Sequence, residues 1–344
     1  MAEDLLQIIH ELERPSTRGA LVTLVAIEGS SYRRPGARLL WWDDGRRAGG
    51  ISGGCIEADV LAHAEEVARS GISRHVAYNT DADGDPVFGL GTGCEGRLDL
   101  LIEPLDQSPH PLTRLPTLWR QGLRPCVSLD WRSPGQARTQ VLVPNGVAVS
   151  QSDSRVFTSV PEPPIELWIV GAGDDVQPLE RMAANLGWRI HIFDTRPALL
   201  TPSRFPSAVL HTFAHGNAPA LPAAWRAPAV VLMSHRFRDD LEALATLAQV
   251  PAAYVGLLGS RRRCERLWAA LEERLGAPAP APLVARTRAP VGLHLGGDGP
   301  ASIALSILSE IQAVLCDGDC VPLAHRERPI HELQGQRSPG SLGE

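Results

Sequence analysis

The stretch from Glu166 to Asp194 constrains the fold more than any other. Glu166-Leu167-Trp168-Ile169-Val170 is an apolar run of strand length, and Gly171-Ala172-Gly173 follows it at once. A helical segment runs from Val176 to Leu186, Gly187 ends it, and Arg189 to Asp194 reads as the next strand. Strand, Gly-x-Gly turn, helix and strand make a βαβ unit, which commits the chain to a parallel sheet wrapped by helices. Asp194 stands 23 residues after Gly171, close to the roughly 20 expected of a carboxylate that takes a ribose hydroxyl. Val176 holds the place of the third glycine, so the dinucleotide fingerprint is incomplete.

The alternation continues with a strand at 229–233, a helix at 239–249 and a strand at 253–257. A helix opened by Gly259-Ser260-Arg261 ends near Leu275, and a last helix spans 301–315. Doubly wound sheets bind ligands at the carboxyl ends of their strands, so Gly171, Gly173, Asp194 and His235 are candidate nucleotide contacts. Ser260 and Arg261 form a candidate anion site at a helix start. A lone histidine is more often structural than catalytic, and Ser260 serves equally well as a plain helix cap.

The first half follows another plan. A short amphipathic helix at 4–13 precedes strands at 20–27, 38–43, 74–79 and 97–105. Between the second and third strands lies Gly49-Gly50-Ile51-Ser52-Gly53-Gly54, four glycines in six residues, running into Cys55. Ile56, Val60, Ala64 and Val67 then form one apolar stripe, while Glu57, Glu65, Glu66 and Arg69 face away. Cys55 is therefore expected in the first turn of a helix, behind a loop of free amides. There the helix dipole favours a thiolate and the amides favour an anion. A second stretch, Gly89 to Gly96, places Cys94 among glycines again. Arg33 and Arg34, in the turn-rich segment 28–37, read as a wall of the same site. Such a site suits a phosphorylated or dithiolene-bearing ligand, with Gly53 and Gly54 against it. One cysteine alone would be read as a buried thiol in a tight junction; two loops of this composition favour the binding reading.

Residues 106–164 are rich in proline, with strands expected near 125–131 and 139–149. The expected organisation is a mixed α/β domain at 1–105, a small sub-domain and proline-rich linker at 106–164, a Rossmann-like doubly wound domain at 165–318, and a flexible tail at 319–344. Cys316 and Cys320 carry no assignment, since a structural zinc site would need two more ligands. All 33 basic residues are arginine, which excludes a P-loop lysine, a Schiff base and a pyridoxal phosphate anchor. A net charge of −6 without a long basic tract argues against nucleic acid. The N-terminus is acidic and no apolar run approaches the roughly 20 residues of a membrane helix, so a cytoplasmic location is expected. The six cysteines read as reduced thiols.

Several motifs together resemble the XdhC/CoxI family. Gly29-Ser30-Ser31-Tyr32-Arg33-Arg34-Pro35-Gly36-Ala37, Gly53-Gly54-Cys55-Ile56-Glu57 and Gly91-Thr92-Gly93-Cys94-Glu95-Gly96 are similar to its N-terminal signature. Tyr254 to Arg262 and Ile303 to Ile311 are similar to its C-terminal Rossmann domain. The resemblance implies an accessory protein without turnover of its own. It would bind molybdenum cofactor, protect it while its terminal sulfur is added, and pass it to an apo-enzyme of the xanthine dehydrogenase type. A cysteine desulfurase is an implied partner, and a second copy of the chain is a further candidate. By residue, the implied metal ligand is Cys55, with Cys94 as the second cofactor-binding thiol. Two positions depart from the family pattern: Asp174 stands where a histidine follows the Gly-x-Gly turn, and Glu95 lies inside the second glycine–cysteine motif. Asp174 and Asp175 would repel a pyrophosphate. The competing readings are an NAD(P)-dependent oxidoreductase using the Rossmann turn, and a scaffold that binds only the dehydrogenase and a sulfur donor.

Overall fold

The computed structural model describes residues 2–14, 18–29, 31, 33–54, 56–79, 96–143, 155–222, 224 and 226–325. Cys55 and Cys94 lie outside them.

In the first half, α1 (Ala2–Leu12) precedes β1 (Gly19–Gly29), β2 (Arg38–Trp42), β3 (Arg47–Gly49), α2 (Glu57–Ser70), β4 (Arg74–Asn79) and β5 (Gly96–Pro104). The strands form one antiparallel sheet in the order β3-β2-β1-β5-β4. Alternation along β1 sorts its side chains between two layers. Ala20, Val22 and Leu24 meet the Ile56, Val60, Ala64 and Val67 stripe of α2. Leu21 and Val25 face the other way, as alternation requires, and a bulge between Leu24 and Ala26 returns Ile27 to the first face. Gly71, left-handed at φ 69°, ends α2 with its N–H on the Val67 carbonyl.

The second face is covered by α1 and by the segment read from sequence as a sub-domain and linker. That segment contains α3 (Leu115–Arg120), β6 (Cys126–Asp130), β7 (Arg138–Leu142) and β8 (Val156–Ser159), the strands pairing in the order β7-β6-β8. Leu112, Trp119 and Val127 share a core with Ile8, Leu21 and Leu40. Helix α3 and strands β3 and β8 are absent from the sequence reading. Each is too short to show a period.

The second half begins with β9 (Glu166–Val170), α4 (Val176–Asn185), β10 (Arg189–Asp194), β11 (Ala208–Thr212), β12 (Ala229–Leu232) and α5 (Phe237–Leu247). It continues with β13 (Tyr254–Leu257), α6 (Arg261–Leu275), α7 (Ala281–Arg286), β14 (Thr287–Arg288) and α8 (Pro300–Leu315). All pairings are parallel and the order is β11-β10-β9-β12-β13-β14, the Rossmann arrangement with its crossover beside β9. Leu167 and Ile169 face a core with α4 and α8; Trp168 and Val170 face one built on α5 and α6. Both faces are apolar, which is why β9 reads as an unbroken hydrophobic run. No helix among the described residues is long and apolar enough to cross a membrane.

The sheets of the first half enclose a buried charged group. Glu103, 2% exposed on β5, accepts the Thr139 N–H at 2.9 Å and the Thr139 hydroxyl. Burial pushes its carboxyl up to about 7, against the Thr139 donors and the buried Arg38 guanidinium, which lower it. A carboxyl that holds its proton more tightly folded than unfolded favours the native state at low pH, and that contribution is lost between pH 4.5 and about 7. Burial depresses His110 and His191 to about 4, which works in the opposite sense below pH 6.5. The comparison that isolates Glu103 is therefore wild type against Glu103→Gln. By urea denaturation, the stability of wild type relative to the variant should fall by up to about 3 kcal/mol between pH 4.5 and 7.5. A flat difference would show Glu103 ionised throughout.

Candidate functional site

The glycine loop joins β3 to α2, and its glycines have different reasons. Gly49 is left-handed (φ 77°), and a Cβ there would strike the Arg38 carbonyl. Gly54 has φ 116°, yet nothing described lies within 4 Å of the Cβ position at either Gly53 or Gly54. Their Cβ sides are open, so a ligand can approach the backbone closely. Ile51 anchors the loop in the core at 0% exposure. The guanidinium of Arg33 lies 3.7 Å from the Cβ position of Gly50 and is paired with Asp4 at 2.7 Å. Arg34 is half-buried in the turn closed by Ala37 N–H to Arg34 O at 3.0 Å.

Two expectations change. The helix begins at Glu57 with Ile56 as N-cap, later than the start expected from the sequence. The amides are also not a free nest. Gly50 N–H donates to Arg38 O at 2.9 Å, Ser52 N–H to Glu57 Oε1 at 2.8 Å, and Gly54 N–H to Ser52 Oγ at 3.1 Å. Glu57, read from its spacing as facing away, turns back onto the loop.

At the Rossmann turn, Gly171 has φ 127° and a Cβ there would come 2.5 Å from the Met233 carbonyl oxygen. Gly173 lies so close to Asp175 that a Cβ would be 2.5 Å from its Oδ1. Gly171 is thus required by backbone, whereas at Gly173 the space is taken by the Asp175 side chain. Asp194, 3% exposed, accepts the Ala172 N–H at 2.7 Å and the Arg196 N–H at 2.8 Å. The Arg196 guanidinium forks onto it at 2.9 and 2.8 Å. Burial pushes this carboxyl up, but the Arg196 fork and the two amides outweigh burial and hold it below the usual range. Both oxygens are engaged, which leaves little for a ribose.

The two carboxylates after the turn are partnered rather than bare. Asp174 pairs with Arg204 at 3.1 Å, and Arg204 also grips the Ala172 carbonyl at 3.0 Å. Asp175 meets His235 Nε2 at 2.7 Å. His235 is exposed and left-handed at φ 59°, a conformation with a cost of order 1–3 kcal/mol in a residue with a side chain. Gly171, Gly173, Asp194 and His235 are therefore brought together at the carboxyl ends of β9, β10 and β12. Ser260 caps α6, accepting the Arg263 N–H at 3.3 Å, and Arg261 is exposed beside it; Ser260's described bond stays in its own helix. Cys126 and Cys264 are buried thiols, while Cys316 and Cys320 are exposed and unbridged. The sequence could have offered one signal for the pairings: an acid–base pair such as Asp175 and His235 lies at the ends of adjacent strands of a parallel sheet.

A Rossmann sheet with a self-filled turn, preceded by a mixed α/β half with an open glycine loop, defines a two-part α/β protein. The XdhC and CoxI family description matches residues 12–79, and the XdhC Rossmann domain matches residues 167–311. "Molybdenum cofactor insertion chaperone PaoD" of Escherichia coli (strain K12) is 31% identical over 319 residues, 89% of this chain and 88% of that protein. A probable xanthine dehydrogenase subunit of Bacillus subtilis (strain 168) is 29% identical over 337 residues, 88% of this chain and 95% of that protein. The crystal structure of a xanthine dehydrogenase from Bacillus halodurans superposes with a TM-score of 0.75 at 26% identity, over 94% of this chain and 98% of that one. The chain belongs to the XdhC and CoxI family.

Gly171→Ala tests the self-filled turn. A clash with a backbone carbonyl at positive φ should lower unfolding stability by about 2–4 kcal/mol, read as a shift in the urea midpoint. Loss below about 0.5 kcal/mol would mean that the turn relaxes freely.

Proposed function

We propose that this protein binds molybdenum cofactor at the Gly49–Gly54 loop and delivers it, in the cytoplasm, to an apo-enzyme of the xanthine dehydrogenase type. The observation that carries this reading is the open backbone of Gly53 and Gly54, in the loop whose Gly50 has the Arg33 guanidinium nearby, within the segment that matches the XdhC and CoxI family. The residues fit such a cargo: an open glycine edge and a guanidinium suit a phosphate, and a thiolate suits a soft, sulfur-ligated metal. In this reading Cys55 supplies the metal ligand, Cys94 the second thiol, and Arg33 and Arg34 the phosphate contacts. The similarity to PaoD along nearly nine-tenths of both chains supports the assignment. The finer proposal is that a cysteine desulfurase adds the terminal sulfur while the cofactor is held, and that two copies of the chain associate. The test is purification from anaerobic, molybdate-fed cells followed by pterin fluorescence and metal analysis. Pterin should accompany the wild type and be absent from Cys55→Ala; pterin in neither would favour the scaffold reading.

The strand order and Gly-x-Gly turn favour a second reading, an oxidoreductase that binds NAD(P) at β9 and β10. Against it stand the engaged oxygens of Asp194 and the glycines filled by internal atoms. Calorimetric titration should give Kd values for NAD+ and NADPH weaker than about 1 mM. Binding tighter than about 0.1 mM would restore the oxidoreductase reading.

A further inference from the structure

We propose that Glu57 is the positioning residue of the cofactor loop, a proposal that rests on the loading function above. Glu57 opens α2 but turns back across the junction. Its Oε1 accepts the Ser52 N–H at 2.8 Å and its Oε2 accepts the Ser52 hydroxyl at 2.5 Å. The same hydroxyl oxygen accepts the Gly54 N–H at 3.1 Å. One carboxylate therefore fixes Ser52 at two atoms and, through it, the amide immediately before Cys55. The residue after Cys55, Ile56, is held from the other side by the core at 0% exposure. A loop with four glycines has an unusually broad unfolded and open ensemble. Without the clamp, the Gly53–Gly54 edge has no nearby side chain among the described residues to hold it, since none lies within 4 Å of either Cβ position. The carboxylate also decides which atoms a ligand meets. It occupies the Ser52 donors and, through the Ser52 hydroxyl, the Gly54 N–H, so an incoming phosphate meets the uncovered side of the Gly53–Gly54 backbone rather than the floor of the loop.

A plainer role for Glu57 is to complement the α2 dipole as an acid in its first turn. Asp59 provides the control: it lies in the same turn, and its described partners are Tyr78, whose hydroxyl donates to it at 2.5 Å, and His63 at 3.5 Å, not the loop. A dipole role predicts equal effects of Glu57→Gln and Asp59→Asn; a positioning role separates them.

The experiment combines hydrogen–deuterium exchange of a peptide spanning residues 49–56 with pterin content per folded protein, using full-length chain from molybdate-fed cells. Glu57→Gln should speed exchange of that segment and lower pterin content roughly tenfold, the scale of one charge-assisted hydrogen bond. Ser52→Ala should fall between Glu57→Gln and wild type. Ser52→Thr, which keeps both the hydroxyl and the amide, should restore wild-type behaviour, and Asp59→Asn should match wild type in both readouts. Exchange unchanged in Glu57→Gln would overturn the clamp whatever the pterin result. Faster exchange with full pterin content would overturn its part in binding. Wild type without pterin would sink the loading function instead, while the exchange series still judges the clamp.

Discussion

Carboxylates that accept backbone amides from outside their own helix or strand hold the loops of both halves. Glu57 takes the Ser52 amide, Glu103 that of Thr139, Glu180 that of Ser207, Asp194 that of Ala172 and Glu310 that of Gly292. Each such bond to a charged acceptor contributes about 1.5–3 kcal/mol when well made, and each leaves a costly orphan if the acid is removed. Several buried carboxylates of the chain also hold an arginine. Arg196 forks onto Asp194, Arg263 pairs with Asp240, and Arg189 with Glu166. Glu103 has no such ion pair among the described residues, and burial lifts its carboxyl to about 7; burial raises Asp240 as well, even against Arg263.

Those long-range bonds also explain what was readable in advance. The βαβ unit, the strands at the sheet centre and the long helices were legible because burial on one or two faces writes itself into hydrophobic period. Val60, Ala64 and Val67 fell where the stripe put them. Short edge elements were not: β3 and β14 have three and two residues, and β11 mixes exposed and half-buried positions. The same limit applies to side-chain partners. Spacing placed Glu57 on the solvent face of α2, but an N-terminal helical residue can turn its side chain back along the preceding loop, and only the path of that loop brings Ser52 within reach. Asp175 and His235 are 60 residues apart in the chain, and nothing local joins them.

The two glycine turns look alike in sequence and have opposite characters in space. At the Rossmann turn the amide of Ala172, the carboxylate of Asp194 and the space beside Gly171 and Gly173 are all taken by the protein's own atoms. At the Gly49–Gly54 loop the internal carboxylate takes only the floor, and the outer pair of glycines stays uncovered by any described residue. A glycine count cannot separate these cases; what lies where a Cβ would be can. By that measure the Gly49–Gly54 loop keeps an uncovered backbone edge, while the Rossmann turn is filled by the protein's own atoms.

The arginine-only composition fits that division. Arg204 holds the Asp174 carboxylate with one nitrogen and the Ala172 carbonyl with another, closing the Rossmann turn across two chain segments. Arg263 joins Asp240 to the Leu258 carbonyl in the same way, and Arg286 reaches the Leu247 and Val250 carbonyls at the end of α5. A lysine ammonium is a point charge on a flexible stem and cannot present two donors in one fixed plane. The guanidinium of Arg33 follows the same logic with one difference. Asp4 takes one end of its fork, and another of its nitrogens lies 3.7 Å from the Cβ position of Gly50. The fork that cross-links loops elsewhere in this chain thus ties α1 to the start of the glycine loop.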